Sequence, residues 1–171
     1  MAAVQNNIII LNEADYRFSL QPVLVTSGGV STIQSGTPTK GADATAASSW
    51  TGAVIPMVTG GGTTSDRFTG ICKTTSNETA SANGTAVVWL PLPGLVYACA
   101  ATTASNANTA ALVQALFGKR VTLTLASSLW TVNTAAADAA ANMVTIVGGD
   151  FNTSKIYFTY KATGTVLGQI V

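Results

Sequence analysis

The chain has 171 residues and only 9% of them are charged, where about 25% is ordinary for a soluble domain. Its net charge is +1 and it contains no histidine. That length fits one domain with a sizeable core. The thin, scattered charge excludes the clustered basic surface of a duplex binder, so no nucleic-acid partner is expected. No apolar run reaches the length of a membrane span, and no membrane partner is expected either. Without histidine the commonest general base and a common metal ligand are missing.

Residues 1–15, MAAVQNNIIILNEAD, read as an extended N-terminal arm, and 16–171 as a single β-rich domain. Within the arm Ile8, Ile9, Ile10 and Leu11 make a short sticky strand. A neighbouring subunit could tie it down by strand addition. The same four residues are too few for a signal-peptide core, and no basic residue precedes them. In YRFSLQPVLV, 16–25, apolar and polar residues alternate as in a strand, with Pro22 pointing to an edge or bend. Residues 30–50 read as a short strand and then a long loop of small residues, punctuated at Gly36-Thr37-Pro38 and ending at Trp50. TGAVIPMVT, 51–59, predicts another strand, again with an edge proline, Pro56. Gly60-Gly61-Gly62 opens a loop.

Residues 67–73 predict a strand around Phe68 and Ile71, and TAVVWLPL, 85–92, a second. Asn83-Gly84 between them suits a type I′ turn, which needs positive φ at both residues. A Pro93-Gly94 turn leads to LVYACA. SNANTAALVQALFGKR predicts the one short α-helix, near 108–117. Asn106 or Asn108 is its N-cap, Leu112 and Leu116 lie on one face, Gly118 follows the end, and Lys119-Arg120 complements the C-terminus. VTLTL, LWTV, MVTIV, KIYFTYK and GTVLGQIV supply the remaining strands, with a short turn in the alanine-rich stretch 134–142. Turn signals every 8–14 residues point to an all-β fold, mainly an antiparallel sandwich or barrel.

Little of this resembles catalytic chemistry. The seven acids, Glu78 among them, are dispersed and read as solvated surface. Gly60–Gly62 lacks the lysine of a phosphate-binding loop. Cys72 and Cys99 sit in apolar strands and read as two small buried hydrophobes, though a disulfide would need only a separation the sequence does not give. Asn77-Glu78-Thr79, Asn83-Gly84-Thr85 and Asn152-Thr153-Ser154 fit the glycosylation pattern but follow no export signal. Trp89 reads as core, and Trp50 as the tryptophan best placed for an exposed contact. No enzyme activity, no cofactor and no metal are expected.

The order Gly36-Thr37-Pro38, Phe68-Thr69-Gly70-Ile71, Gly84-Thr85 leading to Val87-Val88-Trp89, then Pro93-Gly94-Leu95-Val96 resembles the rhythm of tailed-bacteriophage head decoration proteins, the capsid cement or auxiliary proteins. The likeness covers residues 23–97, and the rest of the chain is similar in style only. It implies a virion structural protein on the capsid surface, assembled in the host cytoplasm. The partner so implied is the major capsid protein, with self-association as a dimer or trimer. The arm at 1–15 and the loops at 37–50 and 60–66 are the expected contact regions, with Ile8, Ile9, Ile10, Leu11 and Trp50 as candidate interface residues. A phage tail or head–tail connector subunit is the neighbouring alternative. An extracellular adhesin or carbohydrate-binding module, using Trp50, is a second class.

Overall fold

The structure, a computed structural model, describes residues 8–12, 20–25, 33–41, 53–57, 68–79, 81–92, 94–126 and 129–161. Its first seven strands are β1 (Ile9–Ile10), β2 (Leu20–Val25), β3 (Pro38–Gly41), β4 (Ala53–Pro56), β5 (Phe68–Cys72), β6 (Gly84–Trp89) and β7 (Tyr97–Ala100). A single-turn 3-10 helix and helix α1 (Ala110–Leu116) follow. The chain then forms β8 (Arg120–Val121), β9 (Leu123–Ala126), β10 (Leu129–Val132), β11 (Val144–Asp150) and β12 (Lys155–Tyr160). Among the described residues the mostly-strand character and the single α-helix match the reading of the sequence. The predicted strand in GTVLGQIV lies outside the described residues.

Five strands close into a barrel in the order β2-β4-β3-β5-β6. β2 runs antiparallel to β6 from Leu20 opposite Trp89 to Val25 opposite Gly84. Its other neighbour, β4, is parallel and matched only at Leu24–Ala53 and Val25–Val54. That short ladder explains both prolines. Pro22 and Pro56 fall where β2 and β4 each have a single neighbour, so a missing N–H costs no ladder bond there. They mark gaps inside a closed barrel, where the sequence suggests an edge or bend at Pro22 and an edge at Pro56. Residues 38–41, expected as the start of a loop, form β3 instead and are largely buried.

A second sheet runs β1-β7-β12-β11-β8, antiparallel throughout. Strand alternation sets its inner face. In β12, Ile156, Phe158 and Tyr160 are buried while Tyr157 and Thr159 are not, as the period of two requires. VTLTL does not stay in one strand. β8 belongs to this sheet, while β9 pairs with β10 in a separate hairpin.

Two cores result. Val25, Ile33, Val54, Cys72, Ala86 and Val88 fill the barrel. A larger cluster joins Phe68, Ile71 and Trp89 of the barrel to Tyr97, Phe158 and Tyr160 of the sheet. A bulge makes that junction. Thr39 faces Gly70 and Lys40 faces Phe68, so β5 carries one extra residue at Thr69. Three apart on a regular strand, Phe68 and Ile71 would face opposite ways; the bulge resets the parity and turns both toward the sheet. The Phe68 ring then stacks on Tyr160, with centroids 3.4 Å apart and planes 11° from parallel.

Helix α1 lies within the predicted range but is capped and turned differently. Thr109, and neither Asn106 nor Asn108, is the N-cap, its Oγ1 accepting from the Leu112 N–H at 3.3 Å. The buried pair is Val113 and Leu116, one turn apart and packed toward β11, while Leu112 is 40% exposed. Arg120 does not serve the helix end. Its guanidinium donates to Asp138 through Nε at 2.8 Å and Nη2 at 3.0 Å, and its backbone N–H donates to the same carboxylate. These bonds tie the 134–142 turn to β8. They hold the Asp138 carboxyl down at about 2. A depressed carboxylate contributes stability above its unfolded value and loses it as pH falls toward the folded one. An Asp138→Asn variant should therefore melt below the parent at pH 7, and the difference in Tm should vanish as the pH is brought down to about 2.

The aromatic core carries an unmet cost. The hydroxyls of Tyr97 and Tyr160 are buried without a hydrogen-bond partner, and burial pushes both phenols up. A buried unpaired hydroxyl costs about 1–3 kcal/mol. Tyr97→Phe keeps the ring against Phe158, at 5.6 Å between centroids, and removes that cost. It should raise the urea midpoint by an equivalent of about 1 kcal/mol. A lower midpoint would show that the hydroxyl has a partner after all.

Candidate functional site

Among the described residues no three His, Cys, Asp or Glu side chains come together. The chemistry concentrates instead at one end of the barrel, where the segment after β5 folds back over the rim. Backbone and short polar side chains pin it. The Ile33 N–H donates to Ser76 Oγ at 2.7 Å, and the Ser76 N–H returns to the Ile33 carbonyl at 3.0 Å. Val87 N–H donates to Thr74 Oγ1 at 2.9 Å, and Thr85 N–H to Asn77 Oδ1 at 2.7 Å.

The reversal itself lies at Thr79–Ala82, where each residue's backbone N–H bonds back to the other. Neither Asn83 nor Gly84 has positive φ, so the expected type I′ turn at those two residues is absent. Gly84 is needed for another reason. A Cβ there would stand 2.2 Å from the Glu78 nitrogen and 2.6 Å from its Cα. The chain passes so close that only glycine fits.

This close approach brings Glu78 inside. The side chain expected on the solvated surface is only 8% exposed, and neither carboxylate oxygen has a hydrogen-bond partner. No local sequence signal marks it, because its burial comes from the fold-back across Gly84. The Cys72 thiol, in the barrel core, donates to the Thr74 carbonyl at 2.9 Å. Burial first, then the charge of Glu78, push this thiol up to about 12. Cys72 and Cys99 are both free and buried, as the reading of two small hydrophobes has it.

A cleft of about 300 Å³ opens next to this rim, between β1 and the barrel, with Ser35, Cys72, Lys73 and Trp89 on the barrel side. Lys73 Nζ lies 4.8 Å from the centre of the Trp89 ring, within cation–π range. β1 forms the outer edge of the five-stranded sheet, with Ile9 opposite Ala98 and Ile10 opposite Tyr97 of this same chain. Ile8 is buried and Ile10 half-buried, while Ile9 and Leu11 are 47% and 46% exposed. The candidate interface residues are thus split between the chain's own core and its surface. Trp50 and the loop at 60–66 lie outside the described residues. Trp89 and Trp130 are both buried.

Two of the three Asn-x-Thr/Ser triplets border chain reversals, while Asn83-Gly84-Thr85 runs into β6. Asn77 accepts from Thr85 as above, and Asp150 accepts from the Asn152 N–H and the Thr153 hydroxyl in the β11–β12 turn. Among the described residues no helix is long and apolar enough to cross a membrane. Comparison with protein-family models, with curated proteins and with solved structures finds no match for this chain.

Proposed function

We propose that this chain is a structural subunit that works by assembly, as a decoration protein bound to the outer surface of a phage head. The observation that carries the reading is the apolar edge strand β1. It offers Ile9 and Leu11 to solvent beside the Trp89 cleft, on a chain with only 9% charged residues. Exposed apolar side chains on the edge strand of the described sheet are what a partner covers, and a charge-poor surface opposes that contact weakly. The motif order, which resembles that of decoration proteins, suggests the particular assembly. The major capsid protein is the partner this reading names, with self-association into a dimer or trimer.

The test is sedimentation of the full chain, alone and mixed with undecorated heads built from the major capsid protein of the same genome. The expected result is an oligomer that co-sediments with heads. Ile9→Lys combined with Leu11→Lys should keep the far-ultraviolet dichroism and weaken head binding about tenfold or more, as loss of a central apolar anchor does. A monomer that ignores the heads would overturn the proposal.

A further inference from the structure

We propose that Asn83 is a site of spontaneous deamidation that the fold protects, and that chains left unfolded are modified there and lose the ability to close the barrel. Asn83-Gly84 is the one Asn-Gly pair in the sequence. A glycine carries no Cβ to shield the nitrogen that follows the asparagine, so this pair is where such a chain cyclises most readily. The reaction needs only water. The Gly84 backbone nitrogen attacks Asn83 Cγ, its proton leaves with the side-chain amide as ammonia, and a cyclic imide closes. Water then opens the ring at either carbonyl. One product is aspartate, and the other is isoaspartate, in which the main chain runs through the side-chain carbonyl. Nothing is oxidised or reduced.

Three features of the folded rim oppose the attack. The N–H groups of Thr85 and Val87 are taken by Asn77 and Thr74, on one side of β6. Strand alternation turns the Gly84 N–H to the other side, toward Val25 opposite it in β2, so the attacking nitrogen is engaged in the ladder. The backbone of residues 77 and 78 lies against Gly84, the Glu78 nitrogen 2.2 Å and the Asn77 carbon 2.7 Å from where a Cβ would stand. The 83–84 peptide therefore cannot swing round without opening the rim. Gly84 is also buried, although Asn83 is exposed. The same contacts decide what the product does. Isoaspartate lengthens the main chain by one carbon just before Gly84, which displaces Gly84 from Val25 or drives it into the Glu78 backbone. β6 pairs with both β2 and β5, so a shift in its register keeps the barrel from closing. The modification thus falls on chains that have not folded and removes them from the folding pool. It is independent of the assembly role proposed above, and its failure would leave that role standing.

The test ages the full chain at mildly alkaline pH, native in one sample and unfolded in guanidinium chloride in the other. Peptide mapping follows the loss of Asn83, and labelling by an isoaspartyl methyltransferase follows the product. The unfolded chain should lose Asn83 about tenfold or more faster than the native one, because native loss must wait for the β2–β6 ladder to open. Asn83→Gln, whose longer side chain closes the ring far more slowly, should lack the fast phase of ammonia release seen in the unfolded parent. When the aged parent is diluted out of denaturant, isoaspartate at residue 83 should collect in the aggregated fraction and be depleted from chains that regain native mobility on gel filtration. Equal rates of loss in the two states, a fast phase that survives Asn83→Gln, or isoaspartate spread evenly between refolded and aggregated chains would each overturn the proposal. The comparisons within the parent sequence decide the matter even if the substituted chain fails to fold.

Discussion

Gly70→Ala should cost the chain a large part of its stability and shift its urea midpoint sharply down. A Cβ on residue 70 would stand 2.1 Å from the Trp89 carbonyl oxygen and 2.9 Å from its carbon. Both are backbone atoms in the paired strand, so no rotamer change relieves the contact. The φ of +153° adds strain for any L side chain. We expect a loss of about 4 kcal/mol or more, against a total stability of about 5–15 kcal/mol for a domain. Circular dichroism during urea unfolding reads it directly. A parent-like midpoint would mean that β5 and β6 do not pair as described. Gly84→Ala should be nearly as damaging, since its Cβ would meet the Glu78 backbone at 2.2 Å.

Phe68→Ala is the second large effect. Phe68 is fully buried and stacks on Tyr160, so it fastens the barrel to the five-stranded sheet. Emptying that space costs about 3–5 kcal/mol, the transfer of the ring plus the cavity it leaves. Its position at the junction gives the loss a signature. Amide exchange should speed up in β6 and in β12 together, because each sheet loses the surface that buries it. Faster exchange confined to β6 would show that the two sheets are stable apart.

These two residues also show where sequence reading works and where it stops. The strands around Val121 and Phe158 were legible because an alternating pattern of apolar side chains has one structural meaning, and those around Phe68 and Val87 because apolar, β-branched and aromatic residues run together between turn signals. The helix was legible too, but not its face: Val113 and Leu116 are chosen by the shape of β11, which no local pattern encodes. Asn83-Gly84 misleads for the same reason. The glycine is spent on close approach to Glu78, and the turn sits at Thr79–Ala82. The bulge at Thr69 is invisible until the partner strand is known.

The candidate site was less legible than the fold. Glu78 reads as one more surface acid, and Cys72 as a small hydrophobe. The burial of Glu78 depends on a fold-back between β5 and β6, a tertiary event. The apolar run Ile8–Leu11 did announce a strand. Sequence could not say that it pairs with Tyr97 and Ala98 of its own chain and still leaves Ile9 and Leu11 exposed.

That pairing has a consequence during synthesis. Ile9 meets Ala98, so the earliest strand of the sheet has no place to dock until most of the barrel has been made. At ribosomal rates of about 5–20 residues per second, the wait is on the order of ten seconds. Through that interval four consecutive apolar residues ride on the nascent chain with no acidic or basic residue among them or in the seven before them. They form a ready attachment point for a holdase, and crowded translation without one should favour clumping of unfinished chains over completion of the sheet.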